Sequence, residues 1–341
     1  MEAVELTGRS VFVTGAYGLL GSALVRALLG AGAEVTVLKR DAAARSALTL
    51  LGDEARCNVV AGDVAEPGLV ERALAEYDCE TVFHLAAQTI VPVANRSPSG
   101  TFDTNVRGTW LLLEACRALE VGTVIVAASD KAYGSQEELP YREDMALRPR
   151  FPYDVSKACA DLIARSYWET YGLPVAVTRF ANLYGGGDCN RSRLVPEAVA
   201  AVLQGRRPVI RSDGSPQRDY LYVEDAVRAY LAIAAAVGRG EGRGEALNAG
   251  SGKPTSVLEV VSAICRVAGS EVDPDVRGTG TPSGEIDRQY VDATRLRELT
   301  GWEPEVGLEE GLRRTVEWYR AHPEALAAGP PGVPRAPTSR P

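Results

Sequence analysis

Short apolar runs alternate along the first half of the chain with longer segments whose apolar residues recur every three or four positions. The runs lie at residues 10–14, 34–38, 58–61, 81–85, 123–127 and 175–179. Three of them, VFVTG from Val11, TVFHLAA from Thr81 and TVIVAAS from Thr123, are nearly continuous in apolar residues. A strand with one wet face alternates apolar and polar, whereas a strand buried on both faces reads as an unbroken apolar run. Helical spacing marks residues 19–29, 69–76, 101–119 and 154–171. Strand and helix in alternation predict a parallel sheet covered on both faces. Beyond about residue 182 the rhythm breaks, Gly, Pro and Arg become common, and helical segments at 194–203 and 257–268 interrupt short strands. The chain therefore divides into a first domain over 1–180, to which later segments return, and a smaller α/β domain over 181–322. Residues 323–341, rich in Pro, Ala and Gly, read as a disordered tail. No internal repeat is visible.

Composition narrows the classes of partner. The chain has 341 residues, 45% of them apolar and 24% charged, with a formal net charge of −8. An acidic chain gains nothing from general attraction to nucleic acid or anionic lipid, so neither is an expected partner. An anionic substrate would have to be held by local Arg and Lys against the overall field. No apolar run reaches a membrane span, and residues 1–8 lack a signal-peptide pattern, so the expected compartment is the cytoplasm. The six cysteines, at 57, 79, 116, 159, 189 and 265, form no CxxC, and the two histidines are His84 and His322. The cysteines read as reduced packing residues, and no metal site is expected.

The first strand runs into Gly15-Ala16-Tyr17-Gly18-Leu19-Leu20-Gly21, a GxxGxxG turn that opens a helix. Gly15 permits the tight turn, Gly18 lets the backbone approach a pyrophosphate, and Gly21 lets helix and strand pack closely. The helix N-terminus then offers free N–H groups to the phosphates. This predicts a Rossmann-type doubly wound sheet binding NAD or NADP. At the end of the second strand, where an acid would select NAD, stands Lys39-Arg40-Asp41. Arg40 suits a 2′-phosphate and marginally favours NADP, while Asp41 stands close enough to serve NAD. Asp63 follows the third strand, placed either to accept hydrogen bonds from adenine or to cap the segment after it.

Tyr153 and Lys157 form YxxxK, and positions i and i+4 share one helix face. A neighbouring ammonium is expected to lower the phenol's pKa and make it a usable base. Lys157 is also placed to donate to the nicotinamide ribose. Upstream, Ser129 follows an apolar strand, which puts a hydroxyl at the carboxyl edge of the sheet, where ligands bind. His84, between Phe83 and Leu85 in a strand, reads as packing and not as a catalyst. Tyr133 reads as core or pocket wall.

These residues, with HLAAQ at 84–88, NVRGT at 105–109, SDKAYG at 129–134, PYDVSK at 152–157, RFANLYG at 179–185 and RDYLYVEDAV at 218–227, resemble the extended short-chain dehydrogenase/reductase family. The resemblance covers roughly residues 8–320 and points to its branch that modifies nucleotide-linked sugars. It implies a Rossmann domain carrying the cofactor and a smaller C-terminal α/β domain gripping a nucleotide diphosphate. Tyr17, Leu19, Val64, Ala86 and Ala87, which flank the motifs, are further expected cofactor contacts. Gln88 and Asn105 are expected near cofactor and sugar, with a structural hydrogen-bonding role equally open for Asn105. The resemblance further implies that Asn182 contacts the diphosphate, that Arg218 and Arg288 neutralise it, and that Arg211 lines the nucleotide pocket. It also implies a homodimer built on the helices at 101–119 and 154–171.

Ser129-Asp130-Lys131 bears most directly on the reaction. Family epimerases usually lack a charged pair after the hydroxyl, and 4,6-dehydratases usually carry Asp-Glu. Asp-Lys resembles the CDP-glucose 4,6-dehydratase variant of that pattern, although the glycine loop GAYGLLG looks like the epimerases' loop. Dehydration would need Tyr153 to take the 4-OH proton, Ser129 to steady the oxygen, Asp130 to protonate the departing 6-OH and Lys131 to take the C5 proton. Asp130 must then be protonated and Lys131 neutral, and burial pushes both that way. The expected function is an NDP-hexose 4,6-dehydratase of the CDP-glucose or GDP-mannose type. An NDP-sugar 4-epimerase, a decarboxylase or another NDP-sugar dehydratase are the enzymatic alternatives, and a non-catalytic dinucleotide sensor is the alternative of another class.

Overall fold

The computed structural model describes residues 6–41, 45–280 and 286–326. Its strands are β1 (Ser10–Thr14), β2 (Glu34–Lys39), β3 (Asn58–Ala61), β4 (Thr81–His84), β5 (Thr123–Ala127), β6 (Val175–Phe180), β7 (Asn182–Tyr184), β8 (Val209–Ile210), β9 (Gln217–Tyr222), β10 (Ala246–Ala249), β11 (Pro254–Ser256), β12 (Asp275–Val276) and β13 (Arg288–Gln289). Seven of them make one sheet in the order β10-β6-β5-β4-β1-β2-β3, every pair parallel. This is the doubly wound Rossmann order, with β10 returning from late in the chain as a seventh strand. Strand order reverses between β1 and β4, so the crevice for a ligand opens beyond their carboxyl ends.

The apolar runs are buried as two-sided strands must be: Val11, Phe12 and Val13 of β1 and Val124, Ile125 and Val126 of β5 are fully buried. One face packs on helices Leu19–Gly30 and Val223–Arg239, the other on Leu69–Glu76, Gly108–Ala118 and Pro152–Tyr171. A further core joins helices Leu194–Leu203, Val257–Val267 and Leu308–Ala321 over β7 and β9. There β9 pairs with β7, β11 and β13, and β8 pairs with β12. Ser256 and Glu259 start the helix Val257–Val267 with a reciprocal capping box.

Two expectations change. The helix expected over 101–119 is interrupted: Pro98–Phe102 leads into a wider π-type turn over Asp103–Arg107 before Gly108–Ala118 resumes. Asn105 sits in that turn, its side chain bonded inward, and such turns recur at functional sites. Pro323–Leu326, expected to open the tail, form a 3₁₀ turn whose Ala325 and Leu326 are buried in the third core. The rest of the expected tail lies outside the described residues.

The helix that carries Tyr153 and Lys157 is tied to the sheet by a buried ion pair. Arg179 of β6 reaches Asp161 with two parallel bonds of 2.7 and 3.0 Å, and both side chains are essentially inaccessible. Arg179→Met should cost about 3–5 kcal/mol by leaving a buried carboxylate unpaired, and adding Asp161→Leu should recover most of that loss. Chemical denaturation of the two variants checks this, and equal stability of single and double variants would count against it.

Candidate active site

The crevice beyond the sheet is a cleft of about 1250 Å³. Gly15, Gly18, Leu19 and Gly21 line it beside Ala87, and Ser129, Asp130, Lys131, Tyr153 and Lys157 line it from the next strand and helix. Asn182, Arg211 and Arg218 line it from the later segments. Residues more than two hundred positions apart thus meet at this edge of the sheet.

A chain of hydrogen bonds builds the floor. Thr14 Oγ1 accepts from Leu85 N at 3.2 Å and Ala86 N at 3.1 Å, so its own proton goes to His84 Nδ1, 2.8 Å away. Nε2–H of His84 then donates to Thr109 Oγ1 at 2.9 Å, which donates to Asn105 O at 2.7 Å. Burial pushes His84 down to about 3, and it stays neutral. Asn105 Oδ1 accepts from Gln88 N at 2.7 Å, and its Nδ2 donates to Gln88 O at 3.2 Å and to Ser156 Oγ at 2.8 Å. Ser156 donates to Tyr153 O at 2.6 Å. Buried Asn105 therefore clamps the loop after β4 to the helix of Tyr153. Gln88 turns its own side chain onto Ile90 N, and neither it nor Ala86 lines the cleft.

The glycine loop fits a dinucleotide. Gly15 has φ of 71°, and a Cβ there would press on Leu85 C at 2.6 Å. A Cβ at Gly21 would strike Gly15 O. At Gly18, which is exposed, an added Cβ meets only Gly15 O at 3.4 Å, so the space it leaves free faces the cleft. The adenosine end differs from expectation. Arg40 is exposed and pairs with Asp41 at 2.7 Å. Lys39 pairs instead with Glu54 at 2.5 Å, and its ammonium lies 5.2 Å from the centre of the Tyr17 ring. Glu54 is thus the acid beside the end of β2, supplied from a later turn that sequence reasoning missed. Asp63 Oδ1 accepts from Ala65 N at 2.9 Å and caps that turn. Val64 is buried and fills the space beside Gly108.

Ser129 starts the turn Asp130–Tyr133, accepting from Lys131 N at 3.2 Å and donating to Asp130 Oδ1 at 3.1 Å. Burial pushes Asp130 up to about 6, against the nearby charge of Lys131. Tyr153 departs from expectation: burial pushes its phenol up to about 12, while Ser129 and Arg193 pull the other way. Lys157 is itself pushed down to about 8 by burial, and its Nζ donates to Ala127 O at 2.6 Å. A desolvated ammonium committed to a carbonyl does little to lower the phenol.

Arg288 turns away. β13 pairs with β9 so that Gln289 stands opposite Arg218, and neighbours on a strand point to opposite faces. Gln289 is buried, whereas Arg288 is exposed over the Tyr290 ring at 5.2 Å and does not line the cleft. Arg277 and Arg193 line it instead, neither singled out from the sequence. Arg193 pairs with Asp188 at 3.1 Å and donates to Thr89 at 3.0 Å. Asp154, next to Tyr153, was also missed. It is buried and pushed up to about 6.

Fold and site define a nicotinamide-dinucleotide enzyme of the short-chain dehydrogenase/reductase type. The chain belongs to the NAD dependent epimerase/dehydratase family, whose model matches residues 11–250. It is 35% identical over 323 residues to a dTDP-glucose 4,6-dehydratase of Streptomyces griseus, covering 92% of this chain and 94% of that one. It is 34% identical to a UDP-glucose 4-epimerase of Mycolicibacterium smegmatis, covering 90% and 97%. Among solved structures, the dTDP-glucose 4,6-dehydratase DesIV of Streptomyces venezuelae, with NAD bound, superposes with a TM-score of 0.83 at 31% identity, covering 92% and 98%. The UDP-glucose 4-epimerase of Thermotoga maritima, with UDP-glucose, gives a TM-score of 0.84 at 30% identity, covering 92% and 99%. The chain is an enzyme related to both nucleotide-sugar dehydratases and epimerases, and no described helix is long and apolar enough to cross a membrane.

The glycines separate two effects. Gly21→Ala should destabilise the fold, because helix and turn have no room for a methyl group. Gly18→Ala should leave the melting temperature nearly unchanged yet weaken dinucleotide binding about tenfold or more. Calorimetric titration with NAD and NADP checks this, and unaltered affinity in Gly18→Ala would remove the loop from the cofactor site.

Proposed function

We propose that the protein is an NDP-hexose 4,6-dehydratase acting on a pyrimidine nucleoside diphosphate hexose. The observation that carries this is the buried Asp130 beside Lys131, in the turn that presents Ser129 to the cleft. An epimerase needs Ser129, Tyr153 and Lys157 but has no use for a second acid–base pair. Burial at Asp130 serves an acid that must keep its proton near neutral pH. The relatives named above act, by their names, on dTDP-glucose and UDP-glucose, so dTDP- and UDP-hexoses join CDP-glucose as leading substrates ahead of GDP-mannose. The 4-epimerase is the second reading, favoured by the UDP-glucose 4-epimerases among the similar proteins.

When bound, the nicotinamide dinucleotide would supply the hydride chemistry, acceptance from C4 at the start and return to C6 at the end. Gly15, Gly18 and Gly21 would hold its phosphates, and Lys157 would reach its ribose from the cleft wall. Structures similar to this chain carry NAD, and Lys39 with Glu54 leaves one positive and one negative group beside the adenosine end, so NAD is the first cofactor to try and NADP the second. Tyr153, whose phenol Ser129 and Arg193 pull down against the effect of burial, takes the proton of the sugar 4-OH while Ser129 holds that oxygen. Lys131 then removes the C5 proton acidified by the 4-keto group, Asp130 protonates the 6-OH, which leaves as water, and the protonated Lys131 gives its proton back to C5 as C6 is reduced. Asn182, Arg211 and Arg218 hold the diphosphate and nucleotide, with Arg193 and Arg277 in support.

Incubation with dTDP-, UDP- and CDP-glucose and GDP-mannose, read by mass spectrometry, should give a product lighter by one water with at least one of them. Asp130→Asn and Lys131→Ala should each lower water loss about a hundredfold or more while sparing oxidation at C4. A product of unchanged mass and inverted C4 would establish the epimerase.

Trp110 on the helix Gly108–Ala118 and Leu162 on the helix Pro152–Tyr171, two helices that pack on one another, leave apolar surface exposed. We infer that a second copy covers it. Sedimentation at micromolar concentration should show a dimer, and Trp110→Glu with Leu162→Glu should give monomers.

A further inference from the structure

Gln289 of β13 is buried against the turn that carries Ser129, Asp130 and Lys131. Its Oε1 accepts from Lys131 Nζ at 3.3 Å, and its Nε2 donates to Asp130 Oδ2 at 3.5 Å. Ser129 Oγ occupies the other carboxylate oxygen. Lys131 and Asp130 are neighbours in the chain and opposite in charge, yet no direct ion pair joins them, and each reaches the same amide instead.

We propose that Gln289 is a positioning residue for the dehydration step, a neutral spacer that keeps the acid Asp130 and the base Lys131 from neutralising one another. This rests on the dehydratase reading of the same site. A direct ion pair in a buried site holds the carboxylate ionised and the amine protonated. In those states the acid has no proton to give and the base no free electron pair. An amide meets both groups without adding charge: its oxygen faces the cation and its N–H the anion. Attraction between the two charges falls as their separation grows. The other groups that face Asp130 act in opposite senses, Asp219 of β9 pushing it up and Arg218 pulling it down, while buried Tyr153 and Asp154 face it from the helix Pro152–Tyr171 and Tyr141 from the loop before it. The parallel register of β13 on β9 turns Gln289 inward, and Arg288, one residue earlier, to solvent.

Variants of Gln289, with Asp130→Asn as the reference, test this with two measurements. In the folded protein Asp130 sits at about 6, above the usual 3.8, so the native state holds its proton more tightly than the unfolded chain does. Its contribution to stability is therefore greatest below about pH 4, falls as pH rises through about 6, and is removed in Asp130→Asn. In Gln289→Leu, Lys131 closes on Asp130, and this fall in melting temperature should move to lower pH or vanish. In Gln289→Glu the added carboxylate should move it to higher pH. With substrate, Gln289→Leu should lower kcat for water loss about tenfold or more at neutral pH, with KM within about twofold and oxidation at C4 unaffected. Gln289→Met replaces the Leu variant should that fail to fold. Wild-type pH dependence of melting in both variants overturns the proposal, and so does a loss of activity uniform across pH. Should the wild-type enzyme release water from no nucleotide-hexose, the dehydratase reading falls, while the melting curves still report whether Gln289 separates the two charges.

Discussion

The structure depends on a charge placed where water cannot reach it. Arg179 lies inside β6, bound by its fork to Asp161 on the helix Pro152–Tyr171 and by Nη1 to Tyr133 Oη at 3.0 Å. Tyr133 closes the turn that begins with Asp130 and passes its proton to Asn248 Oδ1 of β10 at 2.8 Å. One guanidinium therefore sets the distance between the helix of Tyr153 and Lys157 and the turn of Ser129, Asp130 and Lys131. A buried ion pair adds little net stability, because desolvation offsets most of the attraction. Its geometry is nonetheless restrictive: a two-point fork admits one orientation. The catalytic register is thus held by an interaction valuable for its direction more than for its energy.

Polar networks do the same work elsewhere. The sequence Thr14, His84, Thr109, Asn105, Ser156 links the ends of β1 and β4 to the helix of Tyr153, each donor meeting one acceptor. A neutral imidazole there serves as a bridge between two hydroxyls. Such networks are costly when one member is missing and rigid when complete. The price of rigidity is visible at Asp130 and Asp154, two carboxylates held where ionisation is unfavourable. Functional sites commonly carry groups that weaken the fold.

The cleft also answers the question of charge. The chain as a whole is acidic at −8, yet Lys131, Arg193, Arg211, Arg218 and Arg277 all line one cleft. A local concentration of cations in a low-dielectric wall suits the diphosphate of the proposed substrate despite the net sign.

What the sequence alone determined is local or periodic. Continuous apolar runs set the parallel strands, because burial on both faces leaves no place for alternation. GxxGxxG after a strand and YxxxK on a helix were legible because their chemistry is contained within a few residues. Tertiary structure decided whatever joins distant segments. Lys131 meets Gln289 across 158 positions, and the two-residue period of a strand says that Arg288 and Gln289 face opposite ways but not which one faces in. Glu54, not Arg40 or Asp41, reached Lys39 because a later turn packs beside β2. Asn105 became a clamp because a π-type turn aims it inward, and helical spacing carries no trace of that turn. The ionisation of Tyr153 followed burial more than its neighbour four residues on, since the cost of desolvation is set by everything that surrounds a group and only folding assembles those surroundings.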